Sequence, residues 1–235
     1  MERLNMDIFN EIDSTNDEAK RINLNKDFHI IIAEKQYKGR GRLGKKWSSP
    51  DLGNIYMTVC TEKDFSYIPL SLVIGVICKK GIEKFINNND IELKWPNDIL
   101  YNNKKVGGVL VEKEVIKEST RTIIGIGINL NIKKEESWWG DFGDLNGKNL
   151  RDKIINKILV KFEALFRDGL NDWKNLWNQS CIHNDAIISV ARNDEIIKGK
   201  YLGINDSGEL LLEKKIGEII SFSSGEVSIK GIYNK

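Results

Sequence analysis

Gly39-Arg40-Gly41-Arg42-Leu43-Gly44-Lys45 is the segment that most restricts the folds open to this chain. It satisfies GxGxxG to the letter, and Gly39 to Lys45 also satisfies GxxxxGK. Either pattern binds phosphate only where it opens a helix whose N-terminus meets the anion. Here the chain continues Lys46-Trp47-Ser48-Ser49-Pro50-Asp51-Leu52-Gly53, which cannot propagate a long helix. Lys46 also stands where a P-loop needs Ser or Thr. A dinucleotide fold and a P-loop nucleotidase are both disfavoured, yet the loop still calls for an anion. Glycines allow close backbone approach and a nest of N–H groups, while Arg40, Arg42, Lys45 and Lys46 supply cations suited to phosphate or carboxylate.

The flanking pattern is mixed α and β. Thr15 followed by Glu18 predicts a capping box and a helix over 14–23. Residues 28–35 and 54–60 predict strands, and apolar Leu70, Val73, Ile74, Ile77 and Ile82 predict a helix over 69–86. A short strand over 91–95 stops at Pro96, a hairpin turns at Asn102-Asn103, and a strand follows over 121–131. The segment 133–148 carries Trp138 and Trp139 among glycines and predicts a mobile loop. A helix spans 150–167, with Trp173 and Trp177 on a further helix facing the core. Beyond Cys181 short strands over 186–190, 196–204, 209–214, 217–222 and 226–232 predict a small β-barrel. The expected division is a catalytic domain over 1–184 and a barrel over 185–235.

Composition removes several classes. Thirty-six Lys and Arg against 34 Asp and Glu leave a net charge of +2, too small a field for sequence-blind nucleic-acid binding. Three widely spaced cysteines without CxxC, and only two histidines, argue against a zinc site or a disulfide framework. The apolar runs are too short to span a bilayer and the N-terminus lacks a secretory pattern, so a cytoplasmic location is expected.

Three further segments carry chemistry. Lys94-Trp95-Pro96-Asn97-Asp98 ends a strand in a rigid turn with an amide and a carboxylate. Lys104-Lys105-Val106-Gly107-Gly108 opens a strand with two lysines and a glycine pair. In Gly125-Ile126-Gly127-Ile128-Asn129 alternate residues lack side chains, so another backbone or a flat ligand can lie against them. With Ser14-Thr15-Asn16, Gln36 and Trp47, and in this order, these segments resemble biotin protein ligases closely. The tail, Gly203-Ile204 to Glu213 and Gly225-Glu226-Val227-Ser228, is similar to the family's C-terminal SH3-like barrel.

The resemblance implies an α+β fold, a mixed sheet with helices mainly on one face followed by that barrel. It implies an enzyme that makes biotinyl-5′-AMP from biotin and ATP, with Mg²⁺, and passes biotin to a lysine of a biotin carboxyl carrier protein. It places Ser14, Thr15, Asn16, Gln36, Gly39, Gly41 and Gly108 around biotin, and makes Lys105 and Arg40 catalytic, both also touching biotin. Arg40, Arg42, Lys105, Trp47, Asn97, Asp98 and Asn129 are expected at the adenylate. Arg42 holds phosphate, Asp98 orients a lysine or a phosphate-bound Mg²⁺, and Trp138 or Trp139 folds over the adenine. Leu43 and Lys45 depart from arginines common in the family, which weakens one phosphate contact. The few residues before Ser14 leave no room for a winged helix-turn-helix, so no DNA binding is expected; a homodimer is compatible with the strand edges. Two alternatives stay open: lipoate or octanoate ligation on the same fold, and a non-catalytic biotin or nucleotide sensor.

Overall fold

A computed structural model describes residues 4–51, 53–86, 91–116, 119–143, 149–192, 195–224 and 227–230. Leu52, the end of the tryptophan loop (144–148), and Gly225 and Glu226 of the tail motif lie outside the described residues. Chain order is β1 (Leu4–Ile12), α1 (Thr15–Arg21), β2 (Phe28–Gln36), β3 (Ile55–Thr61), α2 (Leu70–Ile82), β4 (Ile91–Lys94), β5 (Asp98–Tyr101), β6 (Lys104–Ile116) and β7 (Ser119–Ile128). Then come α3 (Leu150–Asp168), α4 (Trp173–Ser180), β8 (Ile187–Arg192), β9 (Glu195–Ile204), β10 (Leu210–Lys215), β11 (Glu218–Phe222) and β12 (Val227–Lys230).

The main sheet has the order β1-β2-β3-β7-β6-β5-β4, with β1 parallel to β2 and every other pair antiparallel. Alternation assigns its two faces. Ile30 and Ile32 of β2, Met57 and Val59 of β3, and Ile124 and Ile126 of β7 join the large core under α2 and α3. Ile31, Cys60 and Ile123 point the other way, against Ala19 of α1. The fold is the expected α+β arrangement, with α1 the helix on the second face. That second face also carries Thr58, Gly125 and Gly127 by parity.

Register decides the fate of β6. β5 pairs Leu100 with Lys105 but Ile99 with Gly107, so Val106 is an extra residue, a β-bulge. Unbroken alternation would put Lys105 on the face of Val109, which is buried in the large core. The bulge buries Val106 there instead and turns Lys105 to the α1 face, the face shared by Gly108, Leu110 and Glu112.

Two local expectations change. Ser14, not Thr15, is the N-cap of α1, its hydroxyl accepting from Asp17 N at 3.4 Å. Sequence patterning also gives no strand over Leu4–Ile12, because Leu4, Met6 and Ile8 of this edge strand are exposed. Its pairing with β2 runs from Leu4–Phe28 to Ile12–Gln36.

The C-terminal strands form a five-stranded sheet, β11-β10-β9-β8-β12, with antiparallel pairs. Its buried residues, including Val190, Tyr201, Leu210 and Phe222, run without a break into the main core through Leu93, Trp95 and Trp177. Trp95 Nε1 donates to Gly208 O at 3.0 Å. The tryptophan of the Lys94–Asp98 motif is therefore a core joint between the two sheets. Trp177 is fully buried, as expected; Trp173 is partly buried against the same core.

Candidate active site

A cavity of about 570 Å³ opens on the α1 face of the main sheet. At one end it meets Ser14, Thr15, Asn16 and Gln36; Gly108, Gly125 and Gly127 supply the strand surface. Arg40, Gly41, Arg42 and Trp47 come from the glycine-rich loop, Asn97 from the turn after β4, Asp98 from the start of β5, and Lys105, Asn129, Trp138 and Trp139 are also in the lining. Of the expected site residues Gly39 is the one outside this lining. A Cβ there would approach Trp47 O to 2.5 Å and Ser49 Oγ to 2.6 Å, so this glycine lets the loop's own strands close on each other.

The glycine-rich loop is a tight hairpin. Trp47 N donates to Gly39 O at 2.9 Å, and Gly41 N donates to Lys45 O at 2.7 Å, so the Gly41 amide is spent inside the loop. Leu43 turns the hairpin at φ 54°, a left-handed conformation unusual for a leucine. The loop also brings cationic side chains to the cavity. Seven Lys or Arg side chains line the cavity, against the carboxylates of Asp98 and Glu135.

Three of these cations are held by neighbouring groups. Lys105 Nζ lies 2.6 Å from Asp98 Oδ1 and sits over the Trp47 ring, 5.4 Å from its centroid. Arg40 Nη2 reaches Asp17 Oδ1 at 2.5 Å and Glu112 Oε2 at 3.4 Å. Arg42 donates to Asn97 Oδ1 at 3.3 Å and to the Ser224 carbonyl from the C-terminal segment. Burial pulls the Arg42 guanidinium below its ordinary pKa, with Asp98 opposing. Burial also pushes Lys94 down to about 8, aided by the Lys105 and Lys45 charges and opposed by Asp98.

The opposite end is a polar network. Thr15 N and Oγ1 donate to Gln36 Oε1 at 2.8 and 3.1 Å, and Gln36 Nε2 donates to Ser49 Oγ at 3.0 Å. Thr58 Oγ1 donates to Asn16 Oδ1 at 2.7 Å, and Asn16 Nδ2 donates to Glu112 Oε2 at 2.7 Å. Burial raises the Glu112 pKa, but the Asn16 and Lys20 hydrogen bonds and the Arg40 charge outweigh it and hold the carboxyl below its usual value. Thr58, Asp17 and Glu112 were not anticipated. Thr58 in the otherwise apolar run Ile55–Cys60 was the one visible signal.

The paired glycines line the cavity and also make room for the protein's own side chains. A Cβ at Gly127 would meet the Trp47 ring at 2.7 Å, and one at Gly125 would collide with the Asn16 amide. Asn129 Nδ2 donates to Gly140 O at 3.2 Å, which ties it to the tryptophan loop. That loop is stitched to the lysine strand: Lys105 N donates to Trp138 O at 3.0 Å and Gly140 N to Lys105 O at 2.8 Å. The two indoles meet edge to face, 5.9 Å apart.

A profile of the biotin/lipoate A/B protein ligase family matches residues 8–129, the stretch that holds most of this cavity. The chain belongs to that family. A second match, to the biotin protein ligase C-terminal domain over residues 187–230, places it with the biotin protein ligases. The bifunctional ligase/repressor BirA of Salmonella typhimurium is 30% identical over 240 aligned positions, covering 96% of this chain and 74% of that protein. The biotin–[acetyl-CoA-carboxylase] ligase of Paracoccus denitrificans is also 30% identical, covering 87% and 92%. Among solved structures, the Aquifex aeolicus biotin protein ligase in complex with biotin and ATP superposes with a TM-score of 0.79 at 27% identity, covering 96% of this chain and 98% of that one. Among the described residues of this family member, no helix is long and apolar enough to cross a membrane.

Proposed function

We propose that this ligase activates biotin with ATP and transfers it to a lysine of the biotin carboxyl carrier protein of acetyl-CoA carboxylase. The observation that carries this reading is the convergence of Arg40, from the glycine-rich loop, and Lys105, from the start of β6, on one cavity rich in cations. In the first step a biotin carboxylate oxygen attacks the α-phosphorus of ATP and pyrophosphate leaves. Two anions must meet, and fixed cations offset their repulsion most where charge builds in the transition state. In the second step the amine of the acceptor lysine attacks the anhydride carbonyl, loses its proton, and AMP leaves.

In this reading Ser14, Thr15, Asn16 and Gln36 hold the biotin end, with Gly108 beneath it and Gly39 and Gly41 shaping the loop above. Lys105 bridges carboxylate and α-phosphate, Arg40 lies on the same oxygens, and Arg42 holds phosphate. Trp47, Asn97 and Asn129 sit at the adenylate, and one of Trp138 and Trp139 covers the adenine. The ion pair with Lys105 supports an orienting role for Asp98. The described residues contain no group of three His, Cys, Asp or Glu able to hold a metal. In this reading Mg²⁺ would arrive on the ATP phosphates, which need only one or two protein carboxylates beside them, and Asp98 is the cavity carboxylate nearest that role. We read residues 1–184 as the catalytic unit and 185–235 as an appended one that helps close the phosphate end, supported by the Arg42–Ser224 contact.

Biotin-dependent exchange of pyrophosphate into ATP tests the first step, with lipoate and octanoate as parallel substrates. Exchange with biotin alone is expected. Exchange with lipoate or octanoate but not biotin would reassign the substrate, and none with any acid would leave a sensor. Transfer of labelled biotin to a purified carrier domain, lost on Lys→Arg replacement of its acceptor, tests the second step.

A further inference from the structure

Glu112 lies on β6 one layer behind the cavity lining, and its two oxygens join three side chains. Oε2 accepts from Asn16 Nδ2 at 2.7 Å and from Arg40 Nη2 at 3.4 Å, while Oε1 accepts from Lys20 Nζ at 3.1 Å. Asn16 belongs to one end of the cavity and Arg40 to the loop that carries the cations. No other described carboxylate touches both.

The strand geometry explains why this position can do so. Glu112 pairs with Ile123 across the β6–β7 ladder, and Ile123 packs against α1. Its side chain therefore rises beside α1, where Asn16 and Asp17 begin the helix. Asp17 completes the anchorage by accepting from Arg40 Nη2 at 2.5 Å. Two carboxylates thus grip one nitrogen of the guanidinium. A long arginine side chain loses much rotamer freedom when it is fixed, and carboxylates behind it supply that fixation before substrate arrives.

We infer that Glu112 is a positioning residue of the ligation reaction, one carboxylate that sets both the Asn16 amide and the Arg40 guanidinium. The assignment rests on the proposed adenylation and adds a residue outside the cavity lining. Its two contacts are separable by substitution. Glu112→Gln keeps a side-chain oxygen that can accept from Asn16 but removes the charge that holds Arg40. Glu112→Ala removes both.

The test is steady-state pyrophosphate exchange on the full chain, with KM for biotin and kcat measured separately and thermal midpoints recorded for each variant. Glu112→Gln is expected to keep its biotin KM within about twofold and to lose kcat by about tenfold or more. Glu112→Ala is expected to lose kcat similarly and to raise the biotin KM about tenfold. Wild-type kcat in Glu112→Gln would overturn the assignment. So would an equal change of kcat and KM in both variants that tracked the fall in thermal midpoint, the mark of a merely structural residue. Exchange by the unaltered chain with no effect of either variant fells this inference alone; no exchange by the unaltered chain fells the underlying reading and this one with it.

Discussion

Lys105 Nζ stands 2.6 Å from Asp98 Oδ1, and the two side chains come from the adjacent strands β6 and β5. Asp98 opens β5 opposite Gly108, while Lys105 lies beyond the Val106 bulge. The carboxylate therefore restrains the ammonium from its own sheet, leaving it beside the Trp47 ring and facing the cavity.

Removing that ammonium should damage chemistry more than binding. Lys105→Ala is expected to slow adenylate formation by about a hundredfold or more while biotin affinity changes by less than about tenfold. Single-turnover adenylation against calorimetric biotin binding measures the split. Equal losses would make Lys105 only a binding group. Asp98→Asn should slow the same step by a smaller factor, since it loosens the lysine without deleting it.

Gly127→Ala forces a methyl group against the Trp47 indole. Overpacking of this kind costs about 1–3 kcal/mol. Urea denaturation should show that loss, and Trp47→Leu in the same chain should return part of it. A double-mutant cycle with no coupling energy would mean the backbone shifts instead.

His183 links stability to pH. Burial first, and the Lys94 charge second, push its pKa down from 6.5 to about 3, with Asp98 opposing. The folded chain therefore keeps this ring neutral while the unfolded chain protonates it below about pH 6.5. Its contribution is fully present above that value and is lost as pH falls from 6.5 towards 3, at up to about 1.4 kcal/mol per pH unit. Urea midpoints at pH 7.5, 6 and 5 should fall in that order, and His183→Phe should flatten the trend. An unchanged slope in the variant would assign the effect to other groups.

Arg121 is buried in β7 and donates to the carbonyls of Ala19, Lys20 and Ile22 at the C-terminal end of α1. Arg121→Met leaves those acceptors without their partner, at about 2–3 kcal/mol of stability. Because Thr15 and Asn16 sit at the other end of the same short helix, the biotin KM should rise as well. Thermal unfolding and exchange kinetics on one preparation check both; a stable variant with unaltered KM contradicts the argument.

Much of this was legible in the chain itself. Apolar spacing at 3.6 residues marked α2 and α3, alternation and turn residues marked β5, β6 and the C-terminal strands, and Pro50 showed that the glycine-rich loop could not start a helix. The ordered motifs pointed to the ligase family and to the residues around the cavity. Those signals are local: they record how one stretch of backbone buries one face.

What only the tertiary structure decided involves partners far apart in sequence. The Val106 bulge appears only where β6 pairs with β5, and it turns Lys105 to the cavity. Gly125 and Gly127 read as room for a ligand, and the structure shows Asn16 and Trp47 sharing that room. Glu112 reads as one acidic residue on a strand, yet it meets Asn16 from 96 residues away. Periodicity carries no information about such meetings, because hydrogen bonds and ion pairs depend on distance in space, which the packed sheet sets and the local pattern does not.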